Sequence, residues 1–183
     1  MIARVALMQS LTQETIMNGS LLRILIANNA GDTLYEVSRV RAILGLGLEG
    51  DRYAKQAGTF SYKPKVRDVT LISEEAFLIA KRDHGVEFTH EQARRNLIVS
   101  LSVKELNAFV GLHFRVGQVT MFGTELCDPC KLPAKQIGKH ERDFINGFNN
   151  AGGIRARIES DGVIDLNSHI SHVISLAMLP PCP

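Results

Sequence analysis

The chain has 183 residues, a length typical of one domain with a substantial buried core. Hydrophobic residues make up 45% and charged residues 22%, as in ordinary soluble globular proteins. No apolar run approaches the ~18 residues that a membrane-spanning helix needs, and a formal net charge of +2 does not indicate nonspecific nucleic-acid binding. Three cysteines, an odd number, argue against a disulfide framework. We therefore expect a cytoplasmic protein that binds neither nucleic acid nor a membrane.

The beginning of the chain is the least defined part of the sequence. Residues 1–17 carry one Arg and one Glu, and they lack the charged segment and long apolar stretch of a secretory signal. We predict an N-terminal extension at 1–20, of undetermined structure, and a single domain at 21–183.

The first half of the chain reads mainly as strands separated by turns. The apolar run Leu21–Ala27 predicts a strand, and the alternation over Tyr35–Ile43 predicts a second strand paired with the first. The glycine-rich segment Leu44–Tyr53 is a loop, because it has neither the spacing of a dinucleotide-binding motif nor the ending of a P-loop. Another strand is predicted at Asp68–Ile72, and Ser73 is the expected N-cap of the helix that follows.

Short helices and strands mix in the next segment. Leu97–Val99 is strand-like, and Ser102–Glu105 fits a capping box at the start of a short helix. Leu112–Leu126 has the apolar alternation of two strands, with a turn at Gly117 where the parity switches. A helix is predicted at His140–Asn149.

The last strands carry two arginines. Ile154–Ile158 alternates, which puts Arg155 and Arg157 on one face of a strand. A turn at residues 160–162 predicts a hairpin whose returning strand is Val163–Leu166, and His172–Leu179 is the expected final strand. Many short strands with few short helices predict a mainly antiparallel β domain, with a barrel as its closed form.

A pair of thiols stands at the end of a predicted strand, in Cys127-Asp128-Pro129-Cys130. The pair could simply fill a turn. A zinc site would need further ligands, for which only His113, His140 and Cys182 are candidates. Thiol–disulfide exchange uses this spacing, but normally in a βαβ context that the chain lacks.

A third interpretation is one reactive thiolate that binds sulfur or a soft metal, with arginines that hold an anionic ligand. For each arginine taken alone, a solvated surface position is the simpler interpretation. The candidates, which lie beside turns or on strand faces, are Arg52, Arg94, Arg95, Arg155 and Arg157.

An ordered set of short motifs spans most of the chain from Leu21 to Leu166. The motifs are Gly47–Ala54, Arg67–Ser73, Ala93–Val99, Phe114–Gly117, the two-cysteine segment and Gly153–Ile158. Each is weak alone, but their order and spacing resemble the MOSC domain, the family named for the C-terminal domain of molybdenum-cofactor sulfurases. The chain departs from that pattern at residues 167–170, where a Gly-Asp pair would be expected before the last strand.

The resemblance implies a mainly β (α+β), barrel-like fold with a few short peripheral helices, and a protein that handles molybdenum cofactor or sulfur in the cytoplasm. Cys130 matches the family's signature cysteine, which is proposed to ligate molybdenum or to carry a persulfide. Members of this kind reduce N-hydroxylated compounds. The predicted function is therefore a molybdenum-dependent oxidoreductase, and the alternatives are a sulfur or cofactor carrier without turnover and a dithiol oxidoreductase.

Carried over by position, the implied catalytic residue and molybdenum ligand is Cys130. The implied cofactor-binding residues are Gly50, Asp51, Arg52, Arg95, Asn96 and Arg157. Cys127 and Arg155 are looser matches, since the family accepts other residues at those places. Pyridoxal phosphate is associated with the family only through a fused sulfurase domain, so none is expected in this chain. The expected partners are a small N-hydroxylated substrate or a sulfur acceptor, together with a redox partner protein, whereas the sequence specifies no oligomeric state.

Overall fold

The structure is a computed structural model that describes residues 18–59, 61 and 67–172. Strands dominate the described residues. They are β1 (Asn18–Ile26), β2 (Tyr35–Val37), β3 (Arg39–Ile43), β4 (Gly47–Leu48), β5 (Val69–Ser73), β6 (Leu97–Val99), β7 (His113–Val116), β8 (Val119–Leu126), β9 (Ile154–Ile158), β10 (Gly162–Asp165) and β11 (His169–His172). The helices are α1 (Glu75–His84), α2 (His90–Ala93), α3 (Val103–Asn107), α4 (Lys131–Gln136) and α5 (Glu141–Gly147). The predicted mainly β class with short helices is confirmed.

Seven of the strands close into a barrel. Their order is β11-β7-β8-β9-β5-β6-β1, and β1 pairs again with β11 to complete the ring. The β5–β6 pair is parallel, and the other neighbours in the ring are antiparallel. Closure leaves these strands with hydrogen-bonding partners on both sides. β2 continues from β1 outside the ring, and β10, β3 and β4 form a separate three-stranded sheet.

The barrel separates two hydrophobic clusters. Strand β5 is buried along its whole length, because its successive side chains point to opposite faces and both faces are covered by a hydrophobic cluster. Leu71 lies in the cluster that contains Phe109 and Phe114, whose rings stack at 4.8 Å between centroids. Ile72 lies in the second cluster, where Phe144 and other side chains of the helical layer pack. A strand covered on both faces explains why the helices can be short and peripheral.

Two helix starts test the capping predictions. The capping box at α3 is confirmed, because the Ser102 hydroxyl accepts a hydrogen bond from the Glu105 backbone N–H at 3.3 Å. The predicted N-cap at Ser73 is wrong by one residue, since Ser73 is the last residue of β5 and Glu74 occupies the cap position of α1. The Ser73 hydroxyl still accepts from the Glu75 N–H at 3.1 Å, so it satisfies an end of the helix from inside the strand.

Two strand pairings differ from expectation. The predicted strand Tyr35–Ile43 divides at Ser38: β2 pairs with β1 as expected, whereas β3 joins the small sheet. The predicted hairpin at Val163–Leu166 is also wrong, because β10 pairs with β3 and not with β9. The Asp161 carboxylate accepts a hydrogen bond from the Leu44 N–H at 2.7 Å, which directs the chain toward β3. Alternation alone does not specify the partner of a strand.

The two ends of the chain are only partly described. β1 begins at Asn18, so residues 18–20 of the predicted extension belong to the first described strand, and residues 1–17 lie outside the described residues. The last strand in the described residues is β11, which ends at His172, where the predicted strand His172–Leu179 begins. The rest of that prediction lies outside the described residues. No helix in the described part of the chain is long and apolar enough to cross a membrane.

Candidate functional site: an arginine-lined cleft beside two thiols

A cleft opens where β8 ends, beside β9 and the segment that precedes β6. Arginines dominate its wall, together with both cysteines of the Cys127–Cys130 segment. The lining residues are Arg52, Tyr53, Thr59, Arg67, Thr70, Arg94, Arg95, Cys127, Asp128, Cys130, Leu132, Pro133, Gln136 and Arg155. Five are arginines and one is a carboxylic acid, so positive side chains outnumber negative ones in the lining, and two of the arginines, Arg52 and Arg155, pair with carboxylates behind it. We call it the arginine cleft.

The two thiols differ in accessibility. Cys127 is only 5% exposed, and its backbone N–H donates to the Gly153 carbonyl at 2.8 Å. Cys130 is exposed and occupies the N-cap position of α4. Both cysteines are free. The cleft therefore offers one accessible sulfur, and the other is held in the protein.

Two consecutive glycines, Gly152 and Gly153, pass close to the cysteine segment and to β5. A Cβ atom added to Gly152 would lie 2.2 Å from the Cys127 carbonyl oxygen, a distance that no side chain can occupy. Gly153 has a φ of +83°, and a Cβ there would lie 1.9 Å from the Leu71 carbonyl oxygen. These contacts explain why the sequence has two glycines between α5 and β9: the backbone must pass close to both the cysteine segment and β5.

Arg95 fixes the same segment from the other side. Its guanidinium donates to the carbonyls of Gly152 at 2.8 Å, Ala93 at 3.0 Å and Cys127 at 3.1 Å. The residue is 5% exposed. A buried guanidinium that satisfies three carbonyls acts first as a structural clamp on the loop that presents Cys130.

Arg52 is held in the cleft by its neighbour. Asp51 is fully buried, and one of its carboxylate oxygens accepts from the Ala27 N–H and from Arg52 Nη1, both at 3.0 Å. The other oxygen accepts from the Tyr53 N–H at 3.1 Å. The Arg52 guanidinium carbon also lies 4.7 Å from the centre of the Tyr53 ring. Asp51 thus positions Arg52 without itself lining the cleft.

Arg94 is the arginine with the most unusual environment. It is 8% exposed, it has a left-handed φ of 59°, and its Nη1 donates to the Asp32 carbonyl at 2.7 Å. Burial, and next the charge of Arg52, lower the pKa of Arg94 to about 10. The group is still charged at neutral pH, but its charge is costly in this position. An anion bound between the two guanidinium groups would remove that cost.

Arg155 completes the wall from β9. Its Nη1 donates to Glu125 Oε1 at 2.9 Å and to the Leu126 carbonyl at 3.1 Å. These bonds tie β9 to the last residues of β8, immediately before Cys127. The arginine therefore links the strand pair to the base of the cysteine segment.

The structure brings some of the predicted residues together and separates others. Cys130, Arg52 and Arg95 line the arginine cleft. Gly50, Asn96 and Arg157 do not line it. Gly50 has a φ of +82° in the turn before Asp51.

Asn96 is fully buried, where its amide donates to the Leu25 carbonyl at 3.1 Å and accepts from the Thr70 hydroxyl at 2.9 Å. Arg157 instead lies with Glu159 and Phe122. These contacts give Asn96 and Arg157 structural partners away from the thiols.

Three arginines and a tyrosine are among the cleft residues that were absent from the predicted site. The sequence analysis named Arg94 and Arg155 among the arginines but did not assign them, and Arg67 and Tyr53 were only parts of quoted motifs. The alternation of β9 puts Arg155 and Arg157 on the same face of the strand, so alternation alone does not tell which one lines the cleft. Only the pairing partners across the sheet distinguish them, and the sequence does not state those partners.

The zinc interpretation gains no support among the described residues. No group of three or more His, Cys, Asp or Glu residues there could hold a metal ion. His113 pairs with Glu159 at 2.7 Å, and His140 caps α5. The remaining candidate, Cys182, lies outside the described residues.

Comparisons with known proteins agree with this architecture. The family model for the MOSC domain matches residues 59–171. A YuaD protein from Bacillus subtilis has a similar structure, with a TM-score of 0.71 at 17% identity, over 87% of this chain and 98% of that chain.

YiiM from Geobacillus stearothermophilus aligns with a TM-score of 0.62 at 15% identity, over 85% of this chain and 75% of that one. YiiM from Escherichia coli aligns with a TM-score of 0.60 at 18% identity, over 86% of this chain and 71% of that one. These likenesses concern the fold, and a search of curated proteins finds no match. Since the family model covers more than half of the residues, the chain belongs to the MOSC-domain family.

Proposed function

We propose that this protein binds molybdenum cofactor in the arginine cleft, with the Cys130 thiolate as a ligand of the metal, and that it reduces N-hydroxylated compounds there. One observation carries the proposal: a single accessible thiol stands in a cleft whose wall contains five arginines. A soft anionic sulfur suits molybdenum, and guanidinium groups suit the phosphate of the cofactor.

The set of donor atoms fits a metal that arrives with its own ligands. Among the described residues no cluster of three His, Cys, Asp or Glu side chains could hold a bare ion. A metal bound to one protein thiolate would therefore need its remaining ligands from a cofactor. The bound cofactor would supply two-electron chemistry at oxygen, which matches the removal of oxygen from an N–OH group.

The protein's own groups would then bind and orient. Arg52 is close enough to disfavour the charge of Arg94, so an anion that contacts both guanidinium groups is favoured. Arg95 donates to the Cys127 carbonyl, against which the backbone of Gly152 packs closely, and this fixes the start of the segment that carries Cys130. A thiol fixed by backbone contacts loses little conformational freedom when it binds the metal.

The reductase activity can be tested with protein purified from a host that makes the cofactor. Dithionite-reduced methyl viologen would supply electrons, and benzamidoxime would serve as the N-hydroxylated compound. We expect benzamidine as the product with wild type and none above background with Cys130→Ala. Cofactor-loaded protein that forms no benzamidine would contradict the reductase function.

A carrier of sulfur or cofactor is the second candidate, because the exposure of Cys130 would also let it reach an acceptor protein. Cofactor binding without turnover of benzamidoxime, together with transfer of persulfide sulfur or cofactor to an acceptor, would favour this function.

A dithiol oxidoreductase is less well supported. In such enzymes the first cysteine is placed at a helix N-terminus. Here the first cysteine is buried, and α4 begins after the second one. Retained activity in Cys127→Ser would exclude the dithiol mechanism. We further propose the cytoplasm as the compartment, because a reducing environment keeps both thiols available.

A further inference from the structure

We propose that a second cleft, next to the arginine cleft, binds a planar amidine-type group, that is, two N–H donors on one N–C–N unit. The group would belong to a ligand whose other end lies near Cys130. The inference rests on the proposed function for the identity of that ligand, but the cleft and its charge do not depend on it.

The second cleft is larger than the arginine cleft and adjoins it. Its volume is about 420 Å³, within the ~300–1,000 Å³ typical of small-molecule sites, against about 60 Å³ beside the thiols. Its lining residues are Gly31, Thr33, Thr89, Glu91, Gln92, Arg94, Gln136 and Ile137. Arg94 and Gln136 line both clefts. A molecule that reaches Cys130 can therefore place its larger part in the second cleft.

The second cleft has one side chain of each charge among its lining residues. Glu91 is its carboxylate, and Arg94 at the shared wall is its charged base. Glu91 forms no salt bridge with any residue in the described part of the chain. A hydrogen bond from Thr89 is the main reason that the pKa of Glu91 is lowered, so the carboxylate is ionised at neutral pH. An ionised carboxylate in a polar cleft favours a ligand that carries N–H donors.

A carboxylate presents two coplanar oxygens, which match two parallel N–H groups in the same way that they match a guanidinium. Thr33, Gln92 and Gln136 add hydroxyl and amide groups that can bond to the rest of a polar ring. Two sources would provide this chemistry: the amidine part of an N-hydroxylated substrate, or the aminopyrimidinone edge of the pterin in the cofactor.

One short segment couples the two clefts. Thr89 and Gln92 form the capping box of α2, which fixes the turn that carries Glu91. The helix ends at Arg94 in a left-handed conformation, and Arg95 follows in the clamp on the cysteine segment. A fixed turn thus sets the separation between the carboxylate in one cleft and the guanidinium groups in the other.

The test compares the full-length wild type with Glu91→Gln, which keeps the shape and removes the charge. Glu87→Gln is the matched control, because Glu87 is exposed, pairs with Lys81 and lines neither cleft. Calorimetry would measure the affinity for benzamidine, a permanently cationic amidine. Fluorescence of the oxidised pterin would measure cofactor content. We expect Glu91→Gln to weaken benzamidine binding about ten-fold, the usual effect of losing one charged hydrogen-bonded contact, and Glu87→Gln to leave it unchanged.

The outcomes separate the sources and the two proposals. Weaker benzamidine binding with unchanged cofactor content assigns the cleft to the substrate, whereas a fall in cofactor content assigns it to the pterin. Weaker benzamidine binding in a protein that carries no cofactor would support the cleft and contradict the proposed function. If Glu91→Gln changes neither quantity, the inference is wrong, whatever the wild type reduces.

Discussion

Two arginines separated by one residue on β9 lie in very different surroundings. Arg155 lies opposite Thr70 on one neighbouring strand and Glu125 on the other, and it lines the cleft that contains Cys130. Arg157 lies opposite Phe122, and its guanidinium carbon is 5.2 Å from the centre of that ring. Alternation puts both on one face, but the residues across the sheet decide what each can do.

The surroundings of Arg155 and Arg157 also differ in charge balance. Around Arg157, Glu159 accepts from the guanidinium and also pairs with His113, and the hydrogen bond from Arg157 is the main cause of the lowered pKa of Glu159. That region is neutralised internally. In the arginine cleft the pKa of Arg94 is lowered to about 10 by burial and by Arg52. The disfavoured charge of Arg94 favours an anionic ligand there. In the cluster of Arg157, Glu159 and His113, here called the outer cluster, the charges pair with one another.

The largest effect expected from this comparison concerns stability. Arg95→Met removes the donor from three buried carbonyl interactions, so we expect the free energy of unfolding to fall by about 3 kcal/mol. Arg157→Met is the matched control, with an expected change within ~0.5 kcal/mol because its ion pair is partly exposed. Urea denaturation would measure both. Equal losses in the two variants would show that Arg95 is not a clamp.

A smaller effect is expected on anion binding. Arg155→Gln removes a charge from the arginine cleft and should weaken inorganic pyrophosphate binding about ten-fold, or ~1.4 kcal/mol. Arg157→Gln removes the same charge from the outer cluster and should change the affinity by less than about two-fold, since Arg157 does not line the arginine cleft and its partly exposed charge is screened by solvent. Calorimetry at low ionic strength would measure both affinities. A larger loss in Arg157→Gln would reverse the assignment of the two arginines.

Local features of the fold could be predicted from the sequence because local physics determines them. The capping box at Ser102 and the turn at Gly117, with a φ of +59°, depend on nearest neighbours along the chain. The partner of β10 could not be predicted, because its pairing with β3 joins residues far apart in the chain. The alternation of apolar residues predicts the strand itself, but it does not indicate which strand lies beside that strand.

The site residues also differ in how far their roles depend on local sequence or on contacts across the fold. That Cys130 is the important thiol stays a prediction, and the structure adds that Cys130 is exposed and Cys127 is buried between β8 and α4. The roles of the arginines were harder to predict from the sequence, because they depend on contacts across the barrel. Asn96 matched a family position, yet its amide is used within the core between β1 and β5. A residue type at a motif position does not tell whether its polar atoms face a ligand or the protein.

The central claim is that Cys130 holds the metal in the arginine cleft, and metal content tests it most directly. Molybdenum would be measured by mass spectrometry in wild type, Cys130→Ala and Cys127→Ala, all purified from a host that makes the cofactor. We expect wild type and Cys127→Ala to carry molybdenum and Cys130→Ala to carry only background amounts, with circular dichroism confirming that all three are folded. Equal molybdenum in a folded Cys130→Ala protein would contradict the account.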